Sequence, residues 1–140
     1  MGNILEISEK GIDKLKAREI NPLVLAFLGD AVHTLFVRNY FAKTSGLNAG
    51  KLHLLCVKFC RAQKQAAVLD EIFPDLTDDE KELSKRARNT KNGHQAKHAS
   101  EEEYKKATSF EALIGFWHMT CENEKLKKVL EKSIEEGEVK

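Results

Sequence analysis

Apolar positions along the chain recur at helical rather than strand spacing, and local capping signals divide them into segments. Residues 4–19 form an amphipathic pattern that predicts an opening helix. Asn21 and Pro22 then form a helix start, with asparagine as the N-cap and proline in the first helical position. From Leu23 to about Ala42 nearly every face is apolar, which predicts a central helix that is buried on all sides and could also meet a second subunit.

The middle of the chain predicts two more helices. After a loop at residues 44–48, residues 49–72 carry apolar positions close to a helical period, and Pro74 ends that segment. Thr77 and Glu80 then form a capping box, with a hydroxyl and a carboxylate three residues apart at a helix start. The helix that follows becomes strongly basic over residues 85–88.

The last third predicts a polar, basic loop over residues 89–99, followed by three helices. Ser100 restarts a short helix, Ala107 to Thr120 form a second apolar helix, and residues 123–136 form a charged terminal helix. Only 2 prolines and 8 glycines occur in 140 residues, which favours helices over a many-stranded sheet. The prediction is an all-α fold of about seven helices in a single domain, residues 1–140.

Composition and charge narrow the class of protein. With 41% apolar and 32% charged residues, the chain is globular rather than disordered. A net charge of +1 excludes a uniformly basic surface but allows local patches. Three cysteines and the lack of a signal peptide predict a cytoplasmic protein with free thiols. The longest apolar stretch, Leu23 to Val37, contains Asp30 and His33 and is too short to cross a membrane.

Two acidic residues, Asp30 and Glu111, lie inside apolar helices that each contain a glycine, Gly29 and Gly115. If the helices pack together, the two carboxylates could converge on one Mg²⁺, which needs only one or two protein carboxylates. The 81 residues between them prevent spacing from showing this. The alternatives are that Asp30 is a lone exposed acid or a salt-bridge partner, and that Glu111 completes a capping box with Thr108. Gly29 costs about 1 kcal/mol in a helix interior, which suggests that something approaches the backbone closely.

A zinc site is a weaker alternative. His53, Cys56 and Cys60 share one helical face and could bind zinc together with His94 or His98. No Cys-x-x-Cys pair is present, so core packing is the favoured interpretation of the cysteines and a surface position that of His53.

Two motifs resemble the catalytic domain of the ribonuclease III family. Residues 25–32, Leu-Ala-Phe-Leu-Gly-Asp-Ala-Val, resemble its signature helix, and residues 107–115, Ala-Thr-Ser-Phe-Glu-Ala-Leu-Ile-Gly, resemble its second acidic helix. Residues 85–93 are similar to the basic loop of the Mini-III branch, the stand-alone version without a double-stranded-RNA-binding domain. The resemblance runs from about residue 21 to residue 119, and the chain ends too soon after it to hold that additional domain.

The resemblance implies a homodimer that cleaves double-stranded RNA in a Mg²⁺-dependent reaction, with Mn²⁺ able to substitute. Asp30 and Glu111 would hold the metal and form the catalytic centre. Metal-activated water would leave a 5′ phosphate and a 3′ hydroxyl. The implied substrate is precursor 23S ribosomal RNA, and a ribosomal protein is a further candidate partner.

Basic and polar residues near the predicted loop are candidates for RNA contact. A-form RNA is bound mainly through phosphates and 2′-hydroxyls, which need cations and polar donors. The competing interpretation is a solvated helix end, where basic side chains interact favourably with the helix dipole. The candidates are Lys85, Arg86, Arg88, Asn89, Lys91, Lys97 and His98.

The sequence also departs from the larger enzymes of the family. Those enzymes carry further acids at the positions of Leu23, Ala26 and Thr108, so the predicted acidic cluster is reduced to two carboxylates. This reduction motivates a second hypothesis, a non-catalytic double-stranded-RNA-binding dimer. A third hypothesis is a structural helical module with no role in RNA chemistry.

Overall fold

The computed structural model describes residues 11–90 and 100–135, and within those ranges the protein is entirely helical. No strand occurs in the described residues, which confirms the predicted all-α class. A single 3₁₀ turn, Phe73–Asp75, contains Pro74. The helices are α1 (Lys14–Glu19), α2 (Pro22–Thr44), α3 (Ala49–Cys60), α4 (Ala62–Ile72), α5 (Asp78–Asn89), α6 (Glu101–Met119) and α7 (Asn123–Ser133).

The predicted opening helix is shorter than expected in the part that is described. Its first described helical residue is Lys14, and Asp13 is the N-cap, accepting a hydrogen bond from the backbone N–H of Leu15 at 3.1 Å. Residues 11–13 precede the helix, and residues 1–10 lie outside the described ranges. The predicted start at Asn21 is confirmed, since the Asn21 side chain accepts from the backbone N–H of Leu23 at 2.8 Å.

The segment over residues 49–72 is two helices, so the prediction of one continuous helix was wrong. The chain becomes extended at Arg61, which has a ψ of 160° and both ends α3 and begins α4. Tertiary packing explains the break. Residues of α3 pack in a small cluster with Val37 of α2, whereas α4 contributes to the main core against α6. No proline or glycine marks the turn, so local sequence gave no warning of it.

A second correction concerns the C-terminal half, where the short helix after Ser100 and the apolar helix from Ala107 are one helix, α6. Its capping box is formed by Ser100 and Glu103, with both hydrogen bonds at 3.1 Å. The Thr108 hydroxyl instead donates to the Tyr104 carbonyl one turn earlier. Glu111 is therefore in the middle of a helix, and the capping interpretation of this residue was wrong.

Helix α6 forms the centre of the core, and α2 crosses it. Phe110, Leu113 and Trp117 of α6 are at most 1% exposed. Helix α2 is buried where it packs against α6 and α3, but Val24 is 51% exposed and Phe27 is 83% exposed. The prediction of burial on all sides is therefore wrong for a single chain. Over residues 11–90 and 100–135, no helix combines the length and apolarity that crossing a membrane would need.

Two glycines allow α2 and α6 to cross at very short range. A Cβ atom built on Gly29 would lie 1.8 Å from the backbone oxygen of Glu111, and one built on Gly115 would lie 2.0 Å from the backbone oxygen of Leu25. Neither position can carry a side chain at this helix separation. The close approach expected at Gly29 is therefore confirmed, and the approaching group is the backbone of α6.

Candidate active site

The glycine crossing brings the two candidate acids together. Asp30 follows Gly29 on α2, and Glu111 lies one turn before Gly115 on α6, so both flank the point of closest approach. The two carboxyl groups are close enough to share a hydrogen bond. No ion pair found in residues 11–90 and 100–135 involves Asp30, which argues against the salt-bridge alternative. Asp30 is exposed but not isolated, because its carboxyl group meets a second carboxyl group.

The electrostatics of the pair favour a bound cation. Burial raises the pKa of Glu111 to about 9, with further contributions from the hydrogen bond to Asp30 and from the charge of Asp30, while a hydrogen bond from Gln65 acts in the opposite direction. Glu111 therefore keeps a proton near neutral pH when only protein surrounds it. A divalent cation between the two carboxyl groups would remove the same repulsion, and oxygen ligands of this kind suit Mg²⁺.

A cleft of about 490 Å³ surrounds the pair and contains the positions at which the sequence departs from larger family members. Leu23, Ala26 and Thr108 all line it, so the positions that would carry further acids do face this site. No group of three or more potential metal-ligating side chains occurs within the described part of the chain. The complete lining is Leu23, Ala26, Phe27, Asp30, Ala62, Gln65, Tyr104, Ala107, Thr108 and Glu111.

Two buried polar residues behind Glu111 were missed in the sequence. Gln65 is 3% exposed and His33 is fully buried. The Gln65 amide nitrogen lies 3.4 Å from Glu111 Oε2 and 3.0 Å from His33 Nδ1. A signal was present in the sequence, because Gln65 shares a helical face with the apolar residues Ala62 and Leu69. A polar residue on such a face requires a hydrogen-bond partner.

The basic candidates that are described lie around the C-terminal end of α5. Lys85, Arg86 and Asn89 are exposed, and Arg88 is partly buried. Arg88 forms an ion pair with Glu102 at 2.9 Å, and Arg86 donates to a backbone carbonyl of α1 at 3.0 Å. Nine helical residues separate Glu102 from Glu111, so this basic end lies roughly 13 Å along α6 from the acid pair. Lys91, Lys97 and His98 lie outside the described residues.

The predicted zinc alternative gains no support from the described residues. Cys56 is buried in the small cluster with Val37 and Phe59, and Cys60 packs against the same cluster. His53 is exposed, as the packing interpretation expected. All three cysteines are free thiols. The other proposed ligands, His94 and His98, lie outside the described residues.

Comparison with known proteins assigns the chain to a family. Residues 23–122 match the family described as "Ribonuclease III domain". A Mini-ribonuclease 3 from Clostridium tetani is 38% identical over 84% of this chain and 78% of that protein. A Mini-ribonuclease 3 from Staphylococcus aureus is 36% identical over 82% of this chain and 87% of that protein. A crystal structure of a Fusobacterium nucleatum protein has a TM-score of 0.74 at 33% identity, covering 81% of this chain and 91% of that one. The chain therefore belongs to the Mini-ribonuclease 3 branch of the ribonuclease III family and is an endoribonuclease.

Proposed function

We propose that the protein cleaves double-stranded RNA with a divalent metal, Mg²⁺ by preference and Mn²⁺ as a substitute, held by Asp30 and Glu111. The observation that carries this proposal is the meeting of two carboxyl groups from different helices in an open cleft, at a crossing that only glycine permits. The residues fit the metal, because a magnesium ion retains several waters and takes one or two protein carboxylates.

The chain's own residues would divide the chemistry as follows. Asp30 is exposed, so its carboxylate would be the one nearer to bound RNA. Glu111 is partly buried, so its carboxylate would hold the metal from the side of the protein core. A bound divalent cation would supply a water of lowered pKa and stabilise negative charge on the scissile phosphate. No nucleophilic side chain is needed, and hydrolysis would leave a 5′ phosphate and a 3′ hydroxyl.

The candidate RNA contacts are the basic and polar residues at the end of α5 and in the segment that follows it. Lys85 and Asn89 are exposed and could reach phosphates or 2′-hydroxyls. Arg86 is also exposed but would first have to release its hydrogen bond to the Arg18 carbonyl. Arg88 would first have to exchange its ion pair with Glu102, which is a partly solvated contact of small net strength. Lys91, Lys97 and His98 remain candidates on the sequence pattern alone.

We further propose that the enzyme acts as a homodimer. Val24 and Phe27 of α2 and Leu54 and Val57 of α3 are large apolar side chains with exposed fractions between 48% and 83%. A second copy of the chain would cover such surface, and two copies would present two basic α5 ends to one RNA duplex.

The proposed substrate is precursor 23S ribosomal RNA, on which a ribosomal protein could position the enzyme. The free thiols of Cys56, Cys60 and Cys121 fit the reducing conditions of the cytoplasm, where such a precursor would be met. Both proposals rest on the family relationship, and cleavage of candidate precursor duplexes by the purified protein tests the substrate.

The deciding experiment is cleavage of a long RNA duplex by the purified protein, with Mg²⁺ and with chelator. Asp30→Asn and Glu111→Gln keep the size of each side chain and remove its charge. We expect both variants to fold, to bind the duplex and to lose at least 100-fold in cleavage rate, in line with the loss of a metal-binding group. Cleavage by Asp30→Asn at a rate near that of the wild type would refute the assignment. If the wild type binds the duplex but does not cleave it with Mg²⁺ present, the protein is instead the non-catalytic RNA-binding dimer.

A further inference from the structure

A buried amide touches one of the two candidate metal ligands from behind. Gln65 of α4 is 3% exposed, and its amide nitrogen lies within reach of two acceptors, Glu111 Oε2 at 3.4 Å and His33 Nδ1 at 3.0 Å. Gln65 thus joins the second acidic helix to a side chain of the first one. The break between α3 and α4 begins α4 at Ala62, which lines the cleft together with Gln65.

The chemistry of the three groups fixes the direction of these hydrogen bonds. An amide nitrogen carries two hydrogens, and here it has two acceptors, one on each side. When Glu111 is ionised, as it would be on binding a metal, the opposite orientation of the amide would turn its oxygen towards a carboxylate oxygen, which is repulsive. In that state His33 accepts at Nδ1 and carries its proton on Nε2. Burial favours the uncharged ring, because desolvation lowers the pKa of His33 to about 4 in spite of the opposing charge of Asp30.

His33 is an unfavourable choice for stability alone. Its Nε2 is buried and finds no hydrogen-bond partner among the described residues, although the ring packs edge-on against Phe110 at 5.1 Å. A buried donor without a partner destabilises the fold, and an apolar side chain at this position would avoid that cost. The contact from His33 Nδ1 to Gln65 is the one polar interaction of the ring that the described residues show.

We propose that Gln65, held by His33, is a positioning residue that fixes the carboxyl group of Glu111 for metal binding. The proposal rests on the proposed function. With Oε2 held by the amide, the other oxygen of Glu111 would be left to bind the metal. A glutamate side chain loses conformational freedom when a metal fixes it, and the hydrogen bond from the amide orders Glu111 before the metal binds. Groups that orient metal ligands in this way typically contribute 10–100-fold to metal affinity.

The test measures Mn²⁺ binding to the RNA-free protein by electron paramagnetic resonance, together with kcat and KM on an RNA duplex. Gln65→Met keeps the length of the side chain and removes its hydrogen bonds. We expect its Mn²⁺ affinity to fall about 10–100-fold. We also expect kcat to fall at limiting metal and to recover in part at high metal, with KM for RNA unchanged. His33→Phe keeps the ring and removes the acceptor, so we expect a smaller loss of Mn²⁺ affinity with a melting temperature equal to or above that of the wild type.

Lys64→Met is the matched control for general damage to α4. Lys64 is 8% exposed and donates to the backbone carbonyl of Glu135, the last described residue of the chain. Among the described residues, no hydrogen bond or ion pair joins it to Asp30 or Glu111. We expect this variant to lose stability without a change in Mn²⁺ affinity. The combination of lost affinity and retained stability in His33→Phe cannot come from loosened packing, which would move both quantities in the same direction.

The outcomes separate this proposal from the proposed function. If the wild type binds Mn²⁺ and Asp30→Asn does not, the metal site stands. Unchanged Mn²⁺ affinity in both Gln65→Met and His33→Phe would then overturn the positioning role alone. If the wild type fails to bind Mn²⁺, both proposals fail together. Should Gln65→Met fail to fold, His33→Phe decides the question alone.

Discussion

The glycine crossing gives the sharpest quantitative prediction, which concerns Gly29→Ala. In a helix interior, alanine is favoured over glycine by about 1 kcal/mol. Helix propensity alone therefore predicts that the Gly29→Ala variant is more stable than the wild type. The added Cβ would lie 1.8 Å from the backbone oxygen of Glu111, and carbon atoms do not approach an oxygen within 3.0 Å. The helix backbones would have to separate by roughly 1 Å, since no flexible side chain is available to move aside.

The cost of this separation exceeds the gain in propensity. Overpacking a core costs about 1–3 kcal/mol, and contact with backbone at the centre of the core places Gly29→Ala at the upper end of that range. Subtracting the propensity gain leaves a net loss of about 2 kcal/mol in the free energy of unfolding. This corresponds to a fall of roughly 6 °C in the melting temperature of a chain of this size. Gly115→Ala meets the Leu25 oxygen at 2.0 Å and should behave in the same way.

The assay is urea denaturation followed by circular dichroism at one protein concentration, because a dimer would make stability depend on concentration. Gly50→Ala is the matched control. Its Cβ would meet only the Asn48 side chain at an ordinary 3.7 Å, so its stability should stay the same or rise. If Gly29→Ala proved as stable as Gly50→Ala, α2 and α6 would not cross at Gly29 as closely as the structure shows. RNA cleavage by Gly29→Ala should also fall, because the obstructing atom belongs to the residue that carries the second acid.

Three further predictions concern stability, RNA contact and assembly. Burial acts to raise the pKa of Glu80, but hydrogen bonds from Lys125, a backbone N–H and an indole outweigh it and lower the pKa. Ionised Glu80 therefore stabilises the fold above pH 4.5, and this contribution is lost as the pH falls through the lowered pKa. Glu80→Gln should cost about 1–3 kcal/mol at pH 7 in thermal melts, and much less once the pH has fallen below the lowered pKa. Lys85→Ala should weaken duplex binding and reduce its salt dependence by about one counterion, whereas Lys127→Ala, on the exposed side of α7, should change neither in a fluorescence titration. Phe27→Glu should halve the mass measured by light scattering, and an unchanged mass would remove α2 from the dimer interface.

The helical class and most helix boundaries could be predicted because they depend on local signals. Asn21 and Thr77 act as N-caps where the sequence placed them, with side-chain hydrogen bonds to the backbone N–H groups of Leu23 and Glu80. Of the two errors inside the described helices, one has a tertiary cause. The break at Arg61 separates packing against α2 from packing against α6, and no local breaker accompanies it. The other is local, because the capping box at Ser100 starts one continuous helix and the second start suggested at Thr108 does not occur.

The candidate site could be predicted only in part. The sequence motifs identified Asp30 and Glu111, and the glycine beside Asp30 indicated that another group approaches the backbone closely. The sequence did not show that this group is the backbone of α6. Gln65 lies 46 residues from Glu111 and 32 from His33, so no spacing rule connects them. Their relationship depends on how α4 packs against α6. A buried polar residue on an apolar face was the one local indication, and it names no partner.

Two separate devices arrange the acid pair, and they control different quantities. The glycine crossing sets the distance between the backbones of α2 and α6, and with it the distance between Asp30 and Glu111. The Gln65 amide sets the rotation of the Glu111 carboxyl group at that distance. The positions at which the resemblance implied further acids are apolar or hydroxylated here, although they face the same cleft. If the two carboxylates hold the metal as proposed, water and RNA phosphate would supply most of its ligands, so metal and RNA should each increase the affinity for the other. Fixing the orientation of the Glu111 carboxyl group before the metal binds should have its largest effect on metal affinity in a site with only two protein ligands. In such a site each ligand contributes a larger fraction of the binding free energy.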